Sequence, residues 1–262
     1  MKSWIQHPWR VSSRLVRLMF VFSLAAIDYA AGRFHCAHGR LSSMRAEWLQ
    51  KWSRHALRVF GVTVQSTGTV PSKGLLVSNH VSYLDILVLA SLTPAVFVAK
   101  AEMRRWPVLG WFVRIAGTVF VKRDRRMQTG QAVDEIEVLL HAGCLVVLFP
   151  EGTSSDGKTI LPFKSALLAP TRNPVHPLSA GVLQYELVDG DVTEEVCYWK
   201  DMTLFPHAIN LLSKRSIEAL VAFAPLDAAG IDRKSLARQL HSRVLSLKES
   251  LGKPVVGAEG LR

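Results

Sequence analysis

His80 and Asp85, in the stretch Asn79-His80-Val81-Ser82-Tyr83-Leu84-Asp85, are the pair in this chain best suited to acid–base chemistry. Five positions apart on one helix, they would lie about 140° around its axis and would not share a face. They meet only if His80 lies in a turn and Asp85 in the first turn of the helix that follows. The run Gly74-Leu75-Leu76-Val77-Ser78 reads as a buried strand, and Asp85-Ile86-Leu87-Val88-Leu89-Ala90 reads as a helix, so the sequence allows that geometry. The product is a histidine base whose second ring nitrogen is held by a carboxylate, able to activate a hydroxyl without a serine or cysteine nucleophile. A plainer reading of the same residues is a capping box, Ser82-x-x-Asp85, with the acidic residue also favoured by the helix dipole. Capping accounts for Ser82 and Asp85 but leaves Asn79 and His80 unexplained.

Two other clusters carry chemistry. Lys100 follows one strand candidate, and the basic pair Lys122-Arg123 ends another, where it can meet a phosphate or be ordinary solvated surface. The second cluster is Phe149-Pro150-Glu151-Gly152-Thr153, directly after an apolar strand. Gly152 permits close backbone approach and can expose amide N–H groups to an anion or oxyanion, and Glu151 is placed for a polar substrate contact. A surface turn uses proline and glycine as well. The letters Gly152-Thr153-Ser154-Ser155-Asp156-Gly157-Lys158-Thr159 also match the P-loop pattern. A true P-loop opens a helix at its lysine and threonine, whereas Pro162 follows almost at once here, so nucleotide binding is not expected.

The elements that must position these groups alternate after Gly61. Strands are expected over 74–78, 95–99, 118–122, 144–149, 175–180 and 217–223, and helices over 82–91, 104–114, 129–142, 204–213 and 233–249. Such alternation predicts an α/β fold with a mixed, largely parallel sheet flanked by helices, over residues 61–252. Residues 253–262 read as a loose tail. Trp199-Lys200-Asp201-Met202 and His207 either line the site or serve the helix over 204–213.

Residues 1–60 read as a membrane-docking helical pair. Leu18 to Ile27 is an apolar run of ten residues, short of the roughly 20 that span a bilayer. Arg10, Arg14 and Arg17 precede it, as in a signal peptide, but no clear cleavage site follows, and a re-entrant or embedded anchor fits better. A buried core helix is the competing reading. Met44 to Phe60 carries apolar residues at helical spacing with Arg45, Lys51, Arg54 and Arg58 between them. Trp48 and Trp52, one turn apart, suit the headgroup layer, although an amphipathic helix packed on the domain has the same pattern.

A net charge of +11 implies an anionic partner, and without lysine tracts, zinc-finger spacing or an RNA-binding signature a membrane surface is expected rather than nucleic acid. Cys36, Cys144 and Cys197 are few, odd in number and far apart, which suits a reducing compartment. His35, Cys36 and His38 have no distant partner cluster, so no metal site is expected.

With the clusters in this order, the chain resembles the lysophospholipid acyltransferases, the family that includes 1-acylglycerol-3-phosphate O-acyltransferases. The likeness covers about residues 60–225 and rests on His80-x-x-x-x-Asp85, Gly117-x-x-Phe120-Val121-x-Arg123, Phe149-Pro150-Glu151-Gly152-Thr153, and a proline-flanked strand around Val175 to Pro177. The resemblance implies His80 as general base oriented by Asp85, with direct attack of a lysolipid hydroxyl on acyl-CoA or an acyl-carrier protein and no acyl-enzyme. It implies oxyanion stabilisation by the Gly152 amide and Lys100, and acceptor binding by Arg123, Lys122, Glu151 and Thr153. No metal or organic cofactor is implied, and the site is expected at the cytoplasmic face of the cell inner membrane. Many members that act on lysophosphatidic acid have arginine after Glu-Gly-Thr, where this chain has Ser154. A hydroxyl does not supply an arginine's bidentate clamp, and the stretch is closer to members acylating lyso-ornithine lipids, so 1-acylglycerol-3-phosphate or a related lysophospholipid is the first acceptor expected and a lyso-ornithine lipid the alternative. A non-catalytic membrane-binding protein on the same fold is the more distant alternative.

Overall fold

Every residue of Gly74–Ser78 is buried, which marks an inner strand of a sheet covered on both faces. The computed structural model describes residues 7–252 except 38, 107–108, 122–125, 173–175 and 228–229. In chain order it has α1 (Pro8–His35), α2 (Leu41–Phe60), β1 (Val62–Thr67), β2 (Gly74–Ser78), α3 (Leu84–Leu92) and β3 (Val96–Lys100). Next come a 3₁₀ turn at Ala101–Arg105, α4 (Leu109–Ile115), β4 (Val119–Val121), α5 (Arg126–His141) and β5 (Leu145–Leu148). A second 3₁₀ turn at Ser165–Arg172 leads to β6 (Leu178–Leu187), α6 (Val192–Glu195), α7 (Leu204–Ser213), β7 (Ile217–Leu226) and α8 (Arg233–Leu251).

The strands form one sheet in the order β1-β7-β6-β2-β5-β3-β4. Each neighbouring pair is parallel except β6 with β7. Side chains alternate across the sheet. Leu76 enters a core with Leu57 of α2, Val88 of α3 and Leu211 of α7, while Leu75 and Val77 enter a second core with Ile136 of α5 and Leu240 of α8. The α/β reading and its largely parallel sheet therefore hold. Gly74 has φ +87, and a Cβ there would fall 2.1 Å from the Pro177 carbonyl oxygen, which accepts the Leu75 amide. Only glycine allows β2 to start that close to the entry of β6.

Three differences from the expected elements have local causes. β1 reads weakly in the sequence because only its first residue is fully buried, as suits the sheet edge. β6 continues past the expected end at 180 to Leu187, through Gly181, Gln184 and Glu186, which interrupt the apolar run. The single helix expected over 104–114 is instead the 3₁₀ turn and α4, with Pro107 in the interval. Val175 and the tail 253–262 lie outside the described residues.

The N-terminal pair differs from its expectation in an instructive way. α1 has 28 residues, not ten, and is by length and composition sufficient to cross a membrane. Two of its arginines work inside the fold: Arg10 donates to the Ser213 carbonyl at 2.8 Å, and Arg14 donates to the Leu212 and Lys214 carbonyls. These cations satisfy carbonyls at the C-terminus of α7, where the helix dipole favours positive charge. The tryptophans of α2 point inward and do not face a headgroup layer. Trp48 is buried, donates to the Ala25 carbonyl at 2.9 Å and stacks with Phe112. Trp52 donates to Asp28 at 2.7 Å. α2 is thus an amphipathic helix packed on the domain. The exposed apolar face belongs to α1, as Trp9, Val16, Met19, Phe20, Ile27 and Phe34, with Phe205 of α7 and Trp111 of α4 also exposed.

Candidate active site

The parallel strands β2, β5, β3 and β4 all end on one side of the sheet, so the turns that follow them share an edge. Catalytic groups in open α/β sheets gather there. His80 follows β2 directly. Its Nδ1 lies 2.7 Å from Asp85 Oδ2, the contact that the turn-and-helix geometry requires. Asp85 is fully buried, while the His80 side chain retains 21% of its exposure. The carboxylate accepts three more hydrogen bonds: the Val81 amide at 2.7 Å and the Ser82 amide at 3.0 Å on Oδ2, and the Tyr185 hydroxyl at 2.8 Å on Oδ1. Four donors offset the desolvation of a buried carboxylate. With Nδ1–H given to Asp85, Nε2 carries the lone pair and is free to act as a base. The imidazole stacks on Phe149, ring centroids 4.3 Å apart, which fixes the ring plane.

The Phe-Pro-Glu-Gly turn is brought against this dyad. Glu151 is 2% exposed, and its oxygens accept the His80 amide at 2.7 Å and the Leu161 amide at 2.8 Å. Burial pushes its carboxyl up to about 7, with those two amide bonds pulling the other way. A carboxyl group turned inward onto backbone amides braces the turn that carries His80; it does not point outward for the substrate contact expected from the sequence. The Gly152 amide donates to the Phe149 carbonyl at 3.1 Å, closing the turn, so it is not the exposed oxyanion donor expected of it. Thr153 is exposed at the tip. The Ser155 amide donates to the His80 carbonyl at 2.9 Å, and the Ser154 hydroxyl donates to the Tyr198 carbonyl. Lys100 is exposed at the end of β3, on the same edge of the sheet. Lys122 and Arg123 follow β4 and lie outside the described residues.

Three residues to which the sequence assigns no role hold the arrangement. Asn79 donates to the Leu183 carbonyl at 3.0 Å and accepts the Leu183 amide at 2.7 Å. β2 and β6 pair through Ser78 and Gly181, so the Asn79 side chain continues their ladder as a substitute peptide group. Tyr185 reaches Asp85 from a position 100 residues away, and Phe149 supports the imidazole face. A partnership across that span leaves no local pattern in the chain. His207 is a brace: burial holds its imidazole below the ordinary value, Nε2 donates to the Cys197 carbonyl at 3.0 Å, and Nδ1 accepts from the Tyr83 hydroxyl at 3.1 Å.

The P-loop letters do not form a P-loop. Asp156 accepts the Lys158 and Thr159 amides, Lys248 of α8 donates to the Gly157 and Lys158 carbonyls, and no helix opens at Lys158. Among the described residues, no group of three or more His, Cys, Asp or Glu side chains is placed to hold a metal ion.

The model of the Acyltransferase family matches residues 61–180. A lyso-ornithine lipid O-acyltransferase of Brucella abortus is 36% identical over 215 residues, covering 75% of this chain and 80% of its own. A 1-acyl-sn-glycerol-3-phosphate acyltransferase of Neisseria gonorrhoeae is 34% identical, covering 51% of this chain and 56% of its own. The crystal structure of the 1-acyl-sn-glycerophosphate acyltransferase PlsC from Thermotoga maritima superposes with a TM-score of 0.66 at 19% identity, covering 94% of this chain and 99% of that one, and shares the fold. A buried Asp holding a histidine at the end of an inner strand thus sits inside the matched segment, and the chain belongs to the lysophospholipid acyltransferase family.

Proposed function

We propose that this acyltransferase moves a fatty acyl group from an acyl thioester, acyl-CoA or acyl-carrier protein, to the free hydroxyl of a lysolipid at a membrane surface. The 2.7 Å contact between His80 Nδ1 and Asp85 Oδ2 carries this reading. His80 Nε2 takes the hydroxyl proton as the lipid oxygen attacks the thioester carbonyl. Asp85 stabilises the imidazolium that forms. The tetrahedral adduct collapses by breaking the C–S bond, and the imidazolium returns the proton to the departing thiolate. A thiol, with an ordinary pKa of about 8.5, leaves far more readily than an alkoxide. Lys100 and Thr153 are the exposed groups on the same edge proposed to meet the oxyanion or donor, and Lys122 and Arg123 the acceptor's anionic group.

Ser154 favours one acceptor. Its hydroxyl is committed to the Tyr198 carbonyl, so this position supplies neither a cation nor a free donor to a phosphomonoester. Together with the name of the Brucella relative, this supports a lyso-ornithine lipid as acceptor; 1-acylglycerol-3-phosphate and related lysophospholipids are the second reading. An acceptor panel with purified protein and both donors is the test. We expect kcat/KM for lyso-ornithine lipid at least about tenfold above that for lysophosphatidic acid, the discrimination worth one lost charged contact. The reverse order would restore the phosphate reading. Binding to vesicles with no transfer to either acceptor would leave a non-catalytic membrane protein.

The membrane side of the proposal rests on α1. Its inward face is fastened to α7 by Arg10 and Arg14 and to α2 by Trp48, which supports a monotopic anchor lying along the domain. Its outward face is the apolar row from Trp9 to Phe34. With the +11 charge, this face suits an anionic leaflet, which we propose is the cytoplasmic face of the cell inner membrane. Changing Val16, Phe20 and Ile27 together to serine is expected to lower co-sedimentation with anionic vesicles at least tenfold, since each large apolar side chain contributes about 1.5–3 kcal/mol on full burial. Unchanged sedimentation would remove α1 as the anchor.

A further inference from the structure

Asp85 meets His80 through one carboxylate oxygen and Tyr185 through the other. We propose that the Tyr185 hydroxyl is a positioning group of the acyl-transfer reaction, holding the Asp85 carboxyl group in place so that it keeps His80 aimed as the base. This inference rests on the reading of His80 as that base.

The geometry has three parts. First, Tyr185 is 4% exposed and sits in the C-terminal part of β6, paired with Ala219 of β7, so its ring is set by sheet register. Second, Asn79 locks that register where β2 ends. Its amide clasps Leu183, two residues before Tyr185 and on the same face. The residue preceding the catalytic histidine therefore also places the tyrosine that reaches the catalytic aspartate. Third, the three donors on Asp85 Oδ2 all come from its own turn, residues 80–82, and leave Oδ1 to Tyr185. Without that hydroxyl, Oδ1 of a fully buried carboxyl group would lose the donor that Tyr185 gives it.

Tyr185 is suited to act only as a donor. Burial, and then the Asp85 charge, push its phenol far above the ordinary value, so it keeps its proton throughout the working range. The titratable groups facing this pair are His80, Glu151 and Cys197 around Asp85, and Tyr83 beside Tyr185. Burial raises the Glu151, Cys197 and Tyr83 values, so these neighbours add little negative charge around Asp85 below neutral pH. The hydroxyl of Tyr185 is then the side-chain donor that completes the set of neutral donors on Asp85, beside the Val81 and Ser82 amides.

The sign follows. Removing a hydrogen bond to the carboxylate raises the proton affinity of the pair, whether the extra proton is counted on the imidazole or on the carboxyl. The base is then lost at higher pH. In Tyr185→Phe, which keeps the ring packing, we expect kcat to fall about tenfold with KM for the lysolipid unchanged. We also expect the acidic limb of the kcat/KM–pH profile to move upward by about one pH unit, the worth of one hydrogen bond to a charged group. A merely structural tyrosine would not move that limb. The limb is measured for wild type and Tyr185→Phe, with His80→Ala assayed alongside. An upward shift supports the proposal, whatever the plateau rate. Superimposable limbs with His80→Ala inactive would overturn the role of Tyr185 alone. An active His80→Ala would overturn the base itself, and the inference with it.

Discussion

Asp85→Asn is expected to lower kcat by about 10³-fold or more while leaving lysolipid binding nearly intact. An orienting carboxylate in a histidine-based site fixes the tautomer and stabilises the imidazolium, and its isosteric amide supplies neither. The local geometry sharpens the expectation. Oδ2 accepts His80 Nδ1 and the Val81 and Ser82 amides, so an amide NH₂ in that place would face three donors. If the carboxamide turns over, the NH₂ meets the Tyr185 hydroxyl, and the oxygen still carries no charge for the imidazolium. The same change removes charge-assisted bonds from the start of α3, so thermal unfolding should show a loss of about 1–3 kcal/mol. Activity within tenfold of wild type, at full folding, would show that the carboxylate is only a cap.

That outcome bears on what was legible in the sequence. Capping and catalysis are competing readings of Ser82 and Asp85 in the sequence; the helix N-cap is Tyr83 and not Ser82, and the Asp85 side chain turns back onto the preceding turn, where His80 lies. Oδ2 accepts the Ser82 amide together with His80 Nδ1, while the Asp85 amide goes to the Ser82 carbonyl and not to its hydroxyl, so the reciprocal capping box does not form. Local spacing was enough to place this pair because the turn from β2 into α3 is short. The sheet was legible for a related reason: β2, β5 and much of β6 are buried runs bounded by turn residues.

What the chain hid was long-range or two-faced. Glu151 reads as an exposed loop carboxylate, and only the fold shows His80 and Leu161 enclosing it. Gly152 reads as an open amide, and only the closed turn shows its donor engaged by Phe149. Trp48 and Trp52 have the same helical spacing whether they meet lipid or protein; the contacts with Ala25, Asp28 and Phe112 decide it. Asn79 and Tyr185 act through Leu183 and Asp85, about a hundred residues away, where no periodicity records the partnership.

The central claim is that a lipid hydroxyl attacks the thioester with His80 as its base. The direct measurement is steady-state transfer of labelled acyl groups to the preferred lysolipid by purified His80→Ala protein, with folding and vesicle binding checked in parallel. The account predicts a fall of about 10²–10⁴-fold in kcat, with the fold and vesicle binding retained, because the base acts only in the transition state. Retention of more than a tenth of wild-type activity would contradict it.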